Sequence, residues 1–410
     1  MTGHTLRVEL EPTGLDADLS ELESTVQLNV RRFAEKVLRP VGRQLDAMTP
    51  EQVVAADSPL WQVYQEYTRL GLSLTDIFEL PPVEQARLMS LVFEELAWGD
   101  GGLAVSLGAA MVPSMVMHQM QRHDLLELYA DRPLGCWGIT DPDHGSDMLD
   151  GSGHTRHPGV GHGRLNCYAK IQNEQIVIKG QKSAWVSNGP IAQTCMLFCG
   201  YDDGSGEDKR CVVLVPLDAP GVSRGLPLDK MGQRALPQGE LYFDDVCLPL
   251  NHLVAGPEDY IKAEQGVLTD ANALMGLMWT GVARAAYELA HQYAHERKQG
   301  GVPIIQHQNV RYRLFHMFAR VEASRALARR AVLFNSVAPA PALQGSIAAK
   351  ITATQTAFDV ASMAIQMHGG NGLTREYPVE KLLRDARASM IEDGCNEMLA
   401  IKGGSLLAKA

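Results

Sequence analysis

The segment Trp137-Gly138-Ile139-Thr140-Asp141-Pro142-Asp143-His144-Gly145-Ser146-Asp147 marks a change of texture in the chain. Before it, from Leu19 to Ala130, apolar residues recur three and four apart, as in Val30, Phe33, Val37 and Leu38 and again in Leu88, Leu91, Val92 and Leu96, which predicts helices. After it come short β-rich runs broken by Gly, Asp and Asn: 175–179, 195–198, 211–216 and 240–244. From Tyr260 the helical spacing returns, interrupted at Gly300-Gly301-Val302-Pro303 and at Ala338-Pro339-Ala340-Pro341. The fold class is therefore α+β, with expected boundaries of 19–134 for a helical domain, 135–250 for a sheet domain and 255–410 for a helical bundle. The segment itself is a turn rich in Gly, Ser and Asp, whose N–H groups and hydroxyls suit an anion or a heterocycle.

Composition narrows the function. The 410 residues, 45% hydrophobic and 21% charged, are enough for a large core in two or three domains. Thirty-seven Lys and Arg against 48 Asp and Glu leave a net charge of −11, the wrong sign for a nucleic-acid partner, which needs excess cations to neutralise phosphates. The basic run from Arg311 to Arg330 is interleaved with Leu314, Phe318, Glu322 and Leu327, so a subunit-interface or solvent-facing helix is expected there. Seven scattered cysteines, an odd number, point to free thiols in a reducing compartment, with Cys195 and Cys199 in the core and no metal assigned. The acidic start, with Glu9, Glu11, Asp16 and Asp18, does not read as a secretory leader. The apolar stretch from Leu103 to Met117 falls short of a bilayer span, so a cytoplasmic protein without membrane attachment is expected.

A second segment, Lys179-Gly180-Gln181-Lys182-Ser183-Ala184-Trp185-Val186-Ser187-Asn188-Gly189, reads as a strand ending in a flat aromatic and a hydroxyl, suited to stacking on and hydrogen-bonding a planar ring. The two segments, in this order and spacing, resemble the sheet domain of the acyl-CoA dehydrogenase family of flavoproteins. Three further stretches share the resemblance: Lys230-Met231-Gly232-Gln233-Arg234 with 241–246, the stretch from Tyr293 through Arg297 to Ile304 with His307-Gln308, and Gln366-Met367-His368-Gly369-Gly370-Asn371-Gly372 leading into Arg384-Asp385-Ala386. The resemblance covers nearly the whole chain and implies a three-domain fold with a β-barrel-like central sheet. It also implies an FAD-dependent oxidoreductase of lipid or acid degradation, assembled as a homotetramer and passing electrons to an electron-transferring flavoprotein.

Carried over residue by residue, the resemblance places Trp137, Ile139, Thr140, Ser146, Trp185, Ser187, Arg297, His307, Gln308, Gln366, Gly369, Gly370 and Cys395 against the cofactor, with Ser187 at flavin N5. A donor there assists the atom that receives hydride, and Arg297 with the glycines suits a pyrophosphate. Ser146, Ala271, Asn272 and Gly394 fall at substrate positions.

The family's base is usually a glutamate seven residues after Arg-Asp-Ala; here that position is Asp393, one methylene shorter. The alternative base position on the helix opening the bundle is Ala271, which takes no proton, and Glu392 is a second candidate in the loop. Family members acting on cyclohexane-type thioesters, and nitroalkane oxidases, also use aspartate. A misplacement of about 1 Å costs on the order of 100-fold, so the shorter base points to a branched or alicyclic acyl group. The rival readings are a flavin oxidase of the nitroalkane-oxidase type and a non-catalytic flavin-binding subunit. Gly300, Cys395 and Asn272 depart from the family's usual aromatic, threonine and arginine. The stretch 148–172 is longer than the resemblance leads one to expect, and reads either as a lid over the carrier arm or pocket mouth or as a mobile surface loop, which its glycines favour at least as strongly; its His154, His157 and His162 lack the spacing of a metal site.

Overall fold

Ser20 opens the first helix with a capping box: its hydroxyl accepts from the Glu23 N–H while the Glu23 carboxylate accepts from the Ser20 N–H. The computed structural model describes residues 14–15, 18–72, 77, 79–150 and 163–408. Helices α1 (Glu21–Phe33), α2 (Arg39–Asp46), α3 (Pro50–Val54), α4 (Leu60–Arg69), α5 (Pro82–Gly99), α6 (Gly101–Gln119) and α7 (His123–Leu128) fill the first part. Helix α6 is long and apolar enough to cross a bilayer, but most of it is buried inside the protein, which suits a core helix. Asp100 separates α5 from α6 in an extended conformation and caps α6 by accepting from the Leu103 N–H at 3.0 Å.

The central part is a mixed eight-stranded sheet in the order β6-β7-β3-β2-β4-β5-β8, with β1 pairing β4. Its strands are β1 (Gly135–Gly138), β2 (Cys167–Gln172), β3 (Gln175–Ser187), β4 (Thr194–Tyr201), β5 (Lys209–Pro216), β6 (Val222–Arg224), β7 (Gln238–Pro249) and β8 (Leu253–Ala255). All four β-rich runs read from the sequence are strands. The short strands β1, β6 and β8 were not legible, because three or four residues carry too little alternation to register as a pattern. Cys195 and Cys199 lie buried on β4, as expected of core thiols.

Helix α8 (Tyr260–Glu296) then runs 37 residues and joins α9 (Gln308–Val337) through the ribbon of β9 (Lys298–Gln299) and β10 (Val302–Pro303). Helices α10 (Leu343–His368), α11 (Val379–Ser389) and α12 (Asn396–Leu407) complete the chain. Close approach of α5 to α8 requires Gly281, where a Cβ would stand 2.1 Å from the Glu94 carbonyl oxygen.

The arginine run on α9 is only partly surface. Arg325 and Arg329 turn inward onto buried Glu94, at 2.8 and 3.0 Å, where Arg284 of α8 joins them at 2.7 Å. Burial alone would raise the Glu94 carboxyl, but Arg325, Arg284 and Arg329 together hold it far below the ordinary carboxylate range. The expectation of a solvent or interface helix therefore fails for these two residues: a composition of mixed sign does not tell which charges turn toward a partner two helices away.

Candidate active site

The cavity that matters lies where the sheet meets α6, α8 and α11, and encloses about 700 Å³. One wall comes from the first sequence segment. Buried Lys182 on β3 donates to the Ile139 carbonyl at 3.1 Å and pairs with buried Asp141, which also accepts from the Asn166 and Cys167 N–H groups at 2.8 and 3.2 Å. This locks 137–141 onto the sheet and fixes Trp137, Ile139 and Thr140 on the cavity wall. Trp185 lies along the same wall with 60% of its surface exposed, presenting a flat face.

Ser187 is oriented by a relay. Lys230 Nζ donates to Gln238 Oε1 at 2.7 Å, and Gln238 Nε2 donates to Ser187 Oγ at 3.1 Å, which leaves the serine hydrogen to point into the cavity. Burial pushes the Lys230 ammonium down to about 7. Gln238 and Lys230 were not singled out in the sequence as site residues, since their role exists only where β7 and the loop before it fold back on β3.

The opposite side is the loop between α11 and α12. Asp393 sits there in the left-handed region at φ 50° and Gly394 follows at φ 97°. A Cβ on Gly394 would stand 2.8 Å from Leu149 Cδ1 and 2.9 Å from Leu399, so glycine is required. Three elements hold the loop: the Cys395 N–H donates to Ser146 Oγ at 3.0 Å, Lys350 Nζ donates to the Gly394 carbonyl and to Asn396 Oδ1 at 2.8 Å each, and Asn272 Nδ2 reaches the Asp393 carbonyl at 3.5 Å. None of these bonds involves the Asp393 carboxylate, which makes no hydrogen bond or ion pair with a described residue and lines the cavity. Burial raises its pKa, opposed by the charge of Lys350. Burial, with repulsion from Asp393 added, pushes neighbouring Glu392 up to about 7. Lys350 is itself lowered to about 8 by burial. Asp270, raised to about 6 by burial, is taken by Gln119 Nε2 at 2.5 Å and does not line the cavity, whereas Ala271 does.

Two groups of expected site residues thus separate in space. Trp137, Ile139, Thr140, Ser146, Trp185, Ser187, Ala271, Asp393 and Gly394 share the cavity, with Cys395 and Asn272 bonded to its loop. Arg297, Gln308, Gln366, Gly369 and Gly370 are exposed and do not line it; His307 Nε2 lies 3.1 Å from the Gln299 carbonyl and so steadies the β9–β10 ribbon. His154, His157 and His162, and residues 151–162 of the candidate lid, lie outside the described residues.

Comparison with known proteins decides the family. Residues 136–246 match the profile described as acyl-CoA dehydrogenase, middle domain, and residues 262–403 match that of acyl-CoA dehydrogenase, C-terminal domain. The chain belongs to the acyl-CoA dehydrogenase family. It is an oxidoreductase of the class acting on CH–CH groups, in a family of flavoproteins. A probable acyl-CoA dehydrogenase of Bacillus subtilis is 28% identical over 395 residues, 94% of this chain and 97% of that one. The cyclohex-1-ene-1-carbonyl-CoA dehydrogenase of Syntrophus aciditrophicus is 28% identical over 402 residues, 95% and 91% of the two chains. The fold matches butyryl-CoA dehydrogenase of Megasphaera elsdenii with a TM-score of 0.80 at 24% identity, covering 96% of this chain and all of that one.

Proposed function

We propose that the chain holds FAD with its ring in the cavity and introduces an α,β double bond into a branched or alicyclic acyl-CoA, with Asp393 as the base. One observation carries this reading: a half-buried carboxylate without a partner among the described residues opens on the same cavity as Thr140, Trp185 and Ser187. The donor set suits a flavin. Trp185 offers a flat face, Thr140 a hydroxyl, and Ser187 a hydroxyl whose hydrogen the Gln238 relay leaves free. When bound, FAD would supply the hydride acceptor for the β-carbon, beside the Ser187 hydroxyl.

The residues of the chain then divide the remaining work. Asp393 takes the α-proton, and its burial makes the carboxylate a stronger base than in water. Its own N–H has no acceptor among the described residues and is available to the thioester carbonyl, which gathers negative charge as the proton leaves. Ser146, Lys350 and Asn272 hold the loop so that the carboxylate keeps its position.

Room for a wide acyl group comes from α6, where Gly108 and Ala109 line the cavity and a Cβ on Gly108 would meet nothing closer than Met278 Cε at 3.8 Å. The similarity to an enzyme named for a cyclohexene carboxylate thioester supports the same direction. Arg297, Gln308, Gln366, Gly369 and Gly370 suit the pyrophosphate end of FAD, yet they stand on the surface away from the cavity. A second copy of the chain presenting them to the first accounts for both facts, and we propose a homotetramer that delivers its electrons to an electron-transferring flavoprotein.

The test is an anaerobic titration of the purified flavoprotein with linear, branched and alicyclic acyl-CoAs. Bleaching of the oxidised-flavin band by branched or alicyclic members is expected. A flavin that no thioester bleaches, or whose reduced form reacts rapidly with oxygen, refutes the dehydrogenase reading.

A further inference from the structure

The cavity carries a second carboxylate that the proposed reaction does not use. Glu392 lines it beside Asp393. Gln233 holds it: the Gln233 amide donates to Glu392 Oε1 at 2.7 Å. Gln233 is itself buried and fixed, in the left-handed region at φ 51°, with its N–H on Asp385 Oδ1 at 2.5 Å and its side-chain amide also 3.3 Å from the Asp385 carbonyl. A rigid donor on one oxygen therefore aims the other, and that oxygen has no partner among the described residues.

Lys350 and Lys230 attract its charge, but neither forms an ion pair with it. Lys350 Nζ is committed to the Gly394 carbonyl and Asn396 Oδ1, and Lys230 Nζ to the Leu236 carbonyl and Gln238 Oε1. The wall contributed by α6 and α8 is by contrast apolar, with Val105, Gly108, Ala109, Leu274 and Met278. A hydrocarbon chain filling this space would seal Glu392 against apolar atoms, and a polar group buried without a partner is costly, a charged one more so. A substrate that brings its own donor removes that cost.

We infer that Glu392 and Gln233 form a polar subsite of the acyl pocket, which selects acyl thioesters carrying a hydrogen-bond donor, a hydroxyl or a protonated amine, a few bonds from the carbon that Asp393 deprotonates. The inference rests on the acyl-thioester reading above and deepens it. Both carboxylates line the same cavity, so an acyl group bound there lies within reach of each. Their roles differ by their surroundings: Asp393 has no fixed donor among the described residues and is free to take a proton, while Glu392 is held by an amide and acts by orientation and charge.

The test compares valeryl-CoA, 5-hydroxyvaleryl-CoA and 5-aminovaleryl-CoA on the FAD-loaded protein, reading binding by calorimetry and reaction by anaerobic flavin bleaching. At pH 8.5, where Glu392 is ionised, a hydrogen bond to a charged group predicts that at least one donor-bearing thioester binds about tenfold or more tighter than valeryl-CoA. In Glu392→Leu that ratio falls to about one. In Glu392→Gln, which keeps the volume and an acceptor oxygen, the amine loses its advantage while the hydroxyl keeps part of it, so the two donors are told apart even where Glu392→Leu does not fold. Equal or tighter binding of valeryl-CoA in the unmodified protein, or a ratio unmoved in both variants, overturns the subsite. Bleaching by valeryl-CoA upholds the dehydrogenase reading whichever way binding falls, and a binding preference without bleaching by any thioester removes the reaction and leaves the subsite.

Discussion

Asp393→Asn is the sharpest perturbation available. The substitution keeps the side chain's size, and none of the bonds that hold the loop uses the Asp393 side chain, so flavin content and assembly are expected to persist. What disappears is a carboxylate with no other partner among the described residues. A positioned general base contributes about 10²- to 10⁴-fold, or roughly 3–5 kcal/mol of barrier at 1.36 kcal/mol per decade. Stopped-flow flavin reduction under anaerobic conditions should slow by that factor, while thioester binding, read from the perturbed flavin spectrum before reduction, changes far less. Asp393→Glu lengthens the side chain by one carbon–carbon bond into a cavity shaped for the shorter one. A misplacement of about 1 Å costs on the order of 100-fold, so this variant is slow as well with the preferred substrate. Reduction of Asp393→Asn at an undiminished rate would refute the assignment and move the base to Glu392.

Four further outcomes are expected. The reduction rate should rise with pH through a value above the ordinary aspartate range and then level off, since burial raises Asp393 and it works ionised; Glu392 and Lys350 face it and shape the same limb. Glu392, raised by burial and by Asp393, contributes stability that is complete below its ordinary value of 4.5 and is lost as pH rises through about 7, so Glu392→Gln should flatten the melting temperature against pH across that window. Gly394→Ala places a methyl 2.8 Å from Leu149 at a φ of 97°, and the displaced loop should lower flavin reduction about 100-fold with FAD retained. Glu94→Gln leaves Arg284, Arg325 and Arg329 without their shared carboxylate and should cost about 3–5 kcal/mol in chemical denaturation.

Much of this protein is legible in one dimension. Helical spacing before residue 130 and after 260, alternation between them, and punctuation at 300–303 and 338–341 carry the α+β order, because each depends only on neighbours within a turn or a strand. The motif segments carried the family and placed Asp393 in a loop of the active-site type by counting from Arg384-Asp385-Ala386. The supporting residues could not be found this way. Lys350 lies 43 residues before Asp393 and Gln233 lies 159 before Glu392, so their hydrogen bonds leave no periodic trace. The same holds for Arg325 and Arg329, whose inward turn depends on Glu94 more than 200 residues away.

The chain's own order of residue types determined which elements form and which chemical groups are present, since local hydrophobic spacing and turn residues act over a few positions. Tertiary structure alone decided that Asp393 is left without a partner among the described residues while Glu392 is held by Gln233, because two adjacent carboxylates are alike in sequence and differ only in what packs against them. It also decided that the cavity residues and the group around Arg297 face different spaces, for the position of a helix end relative to a sheet is set by packing across the whole fold.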